Sequence, residues 1–157
     1  MLFARGTVLL AGAMAAQLSF LFPGGAVPAG SAQHGCSLTL RVDGLRNRKG
    51  VIGCAVFKTP NGWPEHDDQA YTRKAIPITS NTAVLEFPDI PPARYGIACL
   101  HDENANHHLD RNFFRVPTEG FGFANNPRVR FSPPSWRSAS IEVTCPATRV
   151  DIHLIYK

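Results

Sequence analysis

Ser37-Leu38-Thr39-Leu40-Arg41-Val42-Asp43 puts an apolar residue at every second position, with Thr39 and Arg41 between them. An extended strand sends successive side chains to opposite faces, so this run becomes a half-buried strand with one apolar side. Arg149-Val150-Asp151-Ile152-His153-Leu154-Ile155-Tyr156 repeats the pattern with Val150, Ile152, Leu154 and Tyr156 on one side. Such faces need other apolar faces to cover them, and the chain between supplies these. Val51-Ile52-Gly53-Cys54-Ala55-Val56-Phe57 is apolar on both faces, as a central strand is. The polar, glycine-bounded stretch 44–50 reads as the turn of a hairpin joining it to the first strand.

Ala75-Ile76-Pro77-Ile78 is expected to be an edge strand, because Pro77 has no N–H for a ladder. Segments 83–87, 95–100 and 139–144 complete a set of seven short strands. Turn signals separate them and no amphipathic helical period interrupts. The prediction is an all-β fold: an antiparallel β-sandwich of about seven strands, immunoglobulin/transthyretin-like, forming one domain over 36–157. Trp63, in the Pro- and Gly-containing loop 59–70, is expected to plug one end of the sandwich. Phe113-Phe114 and the segment 132–136 are expected to do similar covering work.

An apolar fraction of 44% and a charged fraction of 18% are those of an ordinary globular protein. The net charge of +4 comes from 16 Lys and Arg against 12 Asp and Glu, scattered without a basic run. A nucleic-acid footprint needs such residues gathered, so no nucleic-acid partner is expected. Residues 1–32 read as a signal peptide. Arg5 leads an apolar stretch over 7–22, Pro23-Gly24-Gly25 breaks it, and Ala26, Ala29 and Ala32 follow. The expected location is periplasmic or secreted, with no membrane span left after cleavage. The expected state is a monomer meeting an envelope or extracellular ligand.

Export gives the cysteines their meaning. Cys36, Cys54, Cys99 and Cys145 are even in number and contain no CxxC pair, which favours disulfides over a zinc knuckle or redox dithiol. Three connectivities exist. Cys54–Cys99 is preferred because both lie in apolar, interior-strand runs, and Cys36–Cys145 because both sit at element ends. Closing loops of these lengths stabilises by roughly 4–5 kcal/mol each. The alternative for the interior pair is that they are small buried hydrophobes.

The functional candidates come after the fifth strand. His101-Asp102-Glu103-Asn104-Ala105-Asn106-His107-His108-Leu109-Asp110 carries side-chain oxygens at Asp102, Asn104, Asn106 and Asp110. At that spacing a tight loop turns successive oxygens onto a hard cation such as Ca²⁺, with His108 contributing its carbonyl. Departures from the pattern are His107 at the sharp turn, where glycine is expected in a left-handed conformation, and Phe113 where a bidentate acid is expected, a role open to Glu119. Two other readings stand beside it. Asn and Asp also cap turns by bonding the local backbone, which makes the loop rigid without metal. A metal-dependent hydrolase using His101, Asp102, His108 or Asp110 is the enzymatic alternative, although no catalytic motif accompanies these residues. Downstream, Phe121, Phe123, Asn125 and Asn126 suggest a ligand platform of aromatic faces beside amides. The plainer version has the two phenylalanines folding back over the sandwich.

Several blocks resemble one family in order. They are 38–44 with Gly50-Val51, Pro91-Pro92-x-x-Tyr95, His101-Asp102-Glu103-Asn104, Leu109-Asp110-x-Asn112, Pro117-x-Glu119-Gly120-x-Gly122-Phe123-x-Asn125-Asn126 and Phe131-x-Pro133-Pro134-Ser135. Together they resemble the bacterial DUF2141 domain across about 36–157. The resemblance implies an exported β-sandwich of unknown function and brings no catalytic activity or ligand. Family members commonly read HDENGNGKLD in the loop, so Ala105 and His107 stand where glycines would be.

Overall fold

The computed structural model describes residues 35–157, and the signal-peptide reading of 1–32 lies outside the described residues. Eight strands succeed one another: β1 (Cys36–Asp43), β2 (Val51–Phe57), β3 (Thr72–Pro77), β4 (Ala83–Ile90), β5 (Ala93–Asp102), β6 (Gly120–Phe123), β7 (Ser140–Val143) and β8 (Ala147–His153). Among the described residues the only helical turn is a 3-10 turn at Asp67–Gln69, and no helix is long and apolar enough to cross a membrane.

The strands form two sheets. One has the order β4-β1-β8, and the other has the order β3-β2-β5-β6 with β7 also on β5. β5 divides one edge between two partners, pairing β7 from Ala93 to Gly96 and β6 from Ala98 to His101. All pairings are antiparallel except β1 with β8, which runs parallel from Ser37↔Ala147 to Asp43↔His153. β3 is the edge strand that Pro77 requires.

β1 and β2 do not form the expected hairpin. They belong to different sheets, and 44–50 crosses between them. Gly44 and Gly50 end that connection at φ +79° and +70°, conformations open to glycine and strained for other residues. A Cβ on Gly50 would lie 1.9 Å from the carbonyl oxygen of Asp102, so the crossing presses against the end of β5.

The core lies between the sheets. Leu38, Leu40 and Val42 of β1, with Leu85 of β4 and Ile152 of β8, meet Ile52 and Val56 of β2 and Tyr95 and Ile97 of β5, all fully buried. Each such side chain contributes roughly 1.5–3 kcal/mol by leaving water. The cysteines form the two expected bonds. Cys54–Cys99 joins directly opposed residues of β2 and β5, and Cys36–Cys145 ties the start of β1 to the β7–β8 connection.

The far side of the five-stranded sheet carries a second, smaller cluster. Phe121, Phe123 and Ala139 are its buried members, with Trp63, Ala98, Leu109, Val129 and Ile155 against them. Trp63, expected to plug one end of the sandwich, instead covers this outer face. Its ring meets Phe57 edge-on at 5.3 Å, and its indole N–H donates to the Pro134 carbonyl at 2.8 Å. Trp136 does the same from the 132–136 segment, donating to the Phe57 carbonyl at 3.0 Å.

Candidate functional site

β5 ends at Asp102, whose side chain organises the turn after it. The carboxylate is 1% exposed and accepts the backbone N–H of Asn106 on Oδ1 (3.1 Å) and of His107 on Oδ2 (2.6 Å). Asn104 and Asn106 repeat this one step on, Asn104 Oδ1 accepting from the Asn106 N–H and Asn106 Oδ1 from the His108 N–H. Folding carboxylate and amide oxygens back onto the local backbone winds the chain tightly and forces Ala105 (φ +57°) and His107 (φ +65°) left-handed. These are the two places where the resembled family has glycine.

The amide groups of the two asparagines converge. Asn104 Nδ2 donates to Asp110 Oδ2 at 2.7 Å, and Asn106 Nδ2 donates to Asp110 Oδ1 at 3.0 Å. Asn104, Asn106 and Asp110 thus meet at one point, while Asp102 faces the backbone of the turn. Among the described residues no three His, Cys, Asp or Glu side chains are grouped to hold a metal ion. A cation here would therefore rely on amide and carbonyl oxygens besides Asp102 and Asp110.

Glu119 closes the loop from its far end. Its carboxylate, 4% exposed, accepts the N–H of Glu103 on Oε1 (2.9 Å) and of Asp110 on Oε2 (3.0 Å). One buried carboxylate so staples both ends of the turn. Glu103, beside it, joins a network on the opposite flank. Arg46 Nε donates to Glu103 Oε1 at 2.6 Å, Arg46 Nη2 pairs with the same oxygen and donates to the Thr118 carbonyl, and Asn47 donates to Oε2. Burial pushes the Glu103 carboxyl up, but the hydrogen bonds from Asn47 and Arg46 and the Arg46 charge outweigh it and hold the carboxyl below its ordinary value.

His101 belongs to the core. It is fully buried, its Nε2 donates to the Lys49 carbonyl at 2.9 Å, and its Nδ1 lies 2.7 Å from the Tyr156 hydroxyl. A carbonyl only accepts, which assigns the proton to Nε2 and leaves Nδ1 to accept from Tyr156. The Tyr156 oxygen in turn accepts the Arg46 N–H at 3.1 Å, and the Arg46 guanidinium stacks 4.7 Å from the ring centre. Burial pushes the Tyr156 hydroxyl above its ordinary value, against the pull of Arg46. With both ring nitrogens engaged, His101 has no position free for a ligand.

Between Asp110 and Glu119 the chain makes a small hairpin, bridged at Arg111↔Pro117 and turned at Asn112, whose side-chain oxygen accepts the N–H of Phe114 and of Val116. The expectation that Phe113 and Phe114 cover the sandwich is corrected here. They stand at the tip of this hairpin, 95% and 79% exposed, because the turn projects away from the core. Phe131 is likewise fully exposed.

The predicted platform separates into two halves. Phe121 and Phe123 face the outer side of the five-stranded sheet and line a groove of about 1040 Å³ over it. Asn125 and Asn126 do not line that groove. The Asn125 amide donates to the Ser138 and Ser140 carbonyls, and Asn126 bonds the Asp151 carbonyl and the His153 N–H. Both hold left-handed backbone, φ +64° and +45°, that leads out of β6. The groove floor escaped the sequence reading, as did the partnership of Arg46, Tyr156 and Glu103. The floor's signal was β2 being apolar on both faces, here with only one of them in the core. The network joins residues more than fifty positions apart and leaves no local pattern.

Residues 40–151 match the profile of a family described as "Uncharacterized protein conserved in bacteria (DUF2141)". No curated protein and no solved structure matches the chain.

Proposed function

Since the chain belongs to the DUF2141 family, a membership that carries no activity with it, we propose an exported, non-enzymatic binding module. Its recognition surface is the outer face of the five-stranded sheet, walled by the 101–126 segment, and the 102–110 loop closes around Ca²⁺. The observation that carries the reading is the meeting of the Asn104 and Asn106 amides on the Asp110 carboxylate. Two neutral donors there hold a position that one divalent cation satisfies better, with side-chain oxygens of Asn104, Asn106 and Asp110 and the His108 carbonyl turning toward it. Two disulfides support export, since such bonds persist in oxidising compartments. The buried, doubly bonded His101 speaks against the hydrolase reading of the same loop.

With Asp110 the one carboxylate among these ligands, affinity belongs to the weak class of extracellular modules, roughly 10⁻⁴–10⁻³ M. Calorimetric titration and thermal melting of EDTA-stripped protein test this, with Mg²⁺ as control. Ten millimolar Ca²⁺ against a dissociation constant of about 1 mM stabilises by ~1.4 kcal/mol, a rise of roughly 5 °C that Asp110→Asn abolishes. Absence of both heat and melting shift removes calcium from the proposal.

A further inference from the structure

The groove over the outer sheet face has an unusual floor. Gly53 and Ala55 of β2 lie beside Ala98 and Leu100 of β5. An antiparallel sheet with one face on the core normally presents polar residues on the other. Here the second face is apolar and shallow, and Phe121 and Phe123 wall it on the β6 side. The small side chains leave room. A Cβ added at Gly53 would meet nothing nearer than the Ala75 Cβ at 4.0 Å. The volume stands at the upper end of small-molecule sites, roughly 300–1,000 Å³.

Chemistry narrows the occupant. β2 and β5 are interior strands whose backbone groups are taken by their neighbours on both sides. An extended peptide laid across the floor would find no main-chain partners and would bury its own amides unpaired. A sugar needs polar partners along its whole body, and the floor of Gly53, Ala55, Ala98 and Leu100 offers no side-chain donor or acceptor, the charged side chains of the lining standing around it. An apolar body remains.

The rim supplies the head-group chemistry. Arg111 is paired with Glu65 at 2.5 Å and Arg73 with Asp67 at 2.8 Å. Arg115 and Arg130 also line the groove and, among the described residues, have no carboxylate within ion-pair distance. We propose that the groove binds a single-chain amphiphile: an alkyl body over the Gly53–Ala98 floor against Phe121 and Phe123, with a carboxylate head on Arg115 and Arg130. This rests on the outer sheet face being the recognition surface and is independent of calcium.

The test is calorimetric titration of the full, disulfide-intact protein with dodecanoate below its micelle concentration, beside dodecanol, dodecylamine and acetate. Expected is saturable one-to-one binding of dodecanoate, at least about tenfold tighter than dodecylamine because the two unpaired guanidinium groups of the rim attract one head and repel the other. Acetate alone should not bind measurably. Gly53→Phe fills the floor and should lose dodecanoate binding about tenfold or more with the melting temperature unchanged. Replacing both arginines, Arg115→Gln with Arg130→Gln, should bring dodecanoate to within about threefold of dodecanol. Equal binding of amine and carboxylate, or undiminished binding to Gly53→Phe, overturns the proposal. So does no binding of dodecanoate at all. A calcium response that survives such a failure leaves the loop part of the proposed function standing, and the reverse pattern rejects calcium alone.

Discussion

Replacing Glu119 removes the carboxylate that holds both ends of the 103–110 turn. In Glu119→Ala the N–H groups of Glu103 and Asp110 lose their acceptor at a site where Glu119 itself is 4% exposed. Hydrogen bonds to charged groups contribute about 1.5–3 kcal/mol each, and the lower figure suits a loop that water can enter. Two such bonds give a loss of about 3 kcal/mol. For a domain of about 120 residues, with an unfolding entropy near 2.1 cal/mol/K per residue, this is a fall of roughly 12 °C in melting temperature. Glu119→Gln keeps one acceptor oxygen and offers an NH₂ to the other N–H, so about half the loss is expected. The assay pairs calorimetric melting with hydrogen exchange. The amides of Glu103 and Asp110 should lose protection in the alanine variant while those of β2 and β5 change far less. A melting temperature within about 2 °C of wild type, with both amides still protected, would refute the staple.

Three further outcomes are expected. Removing the cross-strand bond with Cys54→Ala and Cys99→Ala should cost about 4 kcal/mol for a loop of 45 residues, measured by denaturant unfolding under oxidising conditions. Glu103 is held below its ordinary value of 4.5 in the folded state, so its contribution is full above that value and fades as pH falls through the lower folded one; Glu103→Gln should be less stable than wild type at neutral pH, with the gap closing in acid melts. Phe113→Ser with Phe114→Ser should leave stability within about 0.5 kcal/mol by thermal melting, since both rings are exposed at the hairpin tip.

Period-two alternation made much of the sandwich legible. It marked β1 and β8 directly, and the both-sided apolarity of β2 correctly made it central. Pairing was less legible. The glycine-bounded segment 44–50 has the composition of a hairpin turn, yet the same two glycines permit a crossing from one sheet to the other, and only tertiary contact separates these outcomes. β6 escaped because its four residues alternate Phe with Gly, a period-two signal in a run with low strand propensity. In the loop the limit is chemical. The spacing of Asp102, Asn104 and Asn106 that aims oxygens at a cation also aims them at backbone N–H groups two to five residues on. Sequence carries the spacing and not the direction. Glu119 was visible as a spare acid, but its double acceptance depends on the intervening hairpin folding back.

The parallel pairing of β1 with β8 bears on when the domain can form. β1 is the middle strand of its sheet. One neighbour arrives with β4, and the other is the last strand of the domain, whose Val150 lies opposite Leu40. The Cys36–Cys145 bond spans 109 residues in the same sense. A chain threaded N-terminus first through a narrow passage would hold β1 with one side bare until β8 emerged. Pairings this distant in sequence place folding in the slow, roughly millisecond-to-second range. The topology thus defers completion of the domain until nearly all of it has been delivered, and the bond between Cys36 and Cys145 then locks in the strand that arrives last.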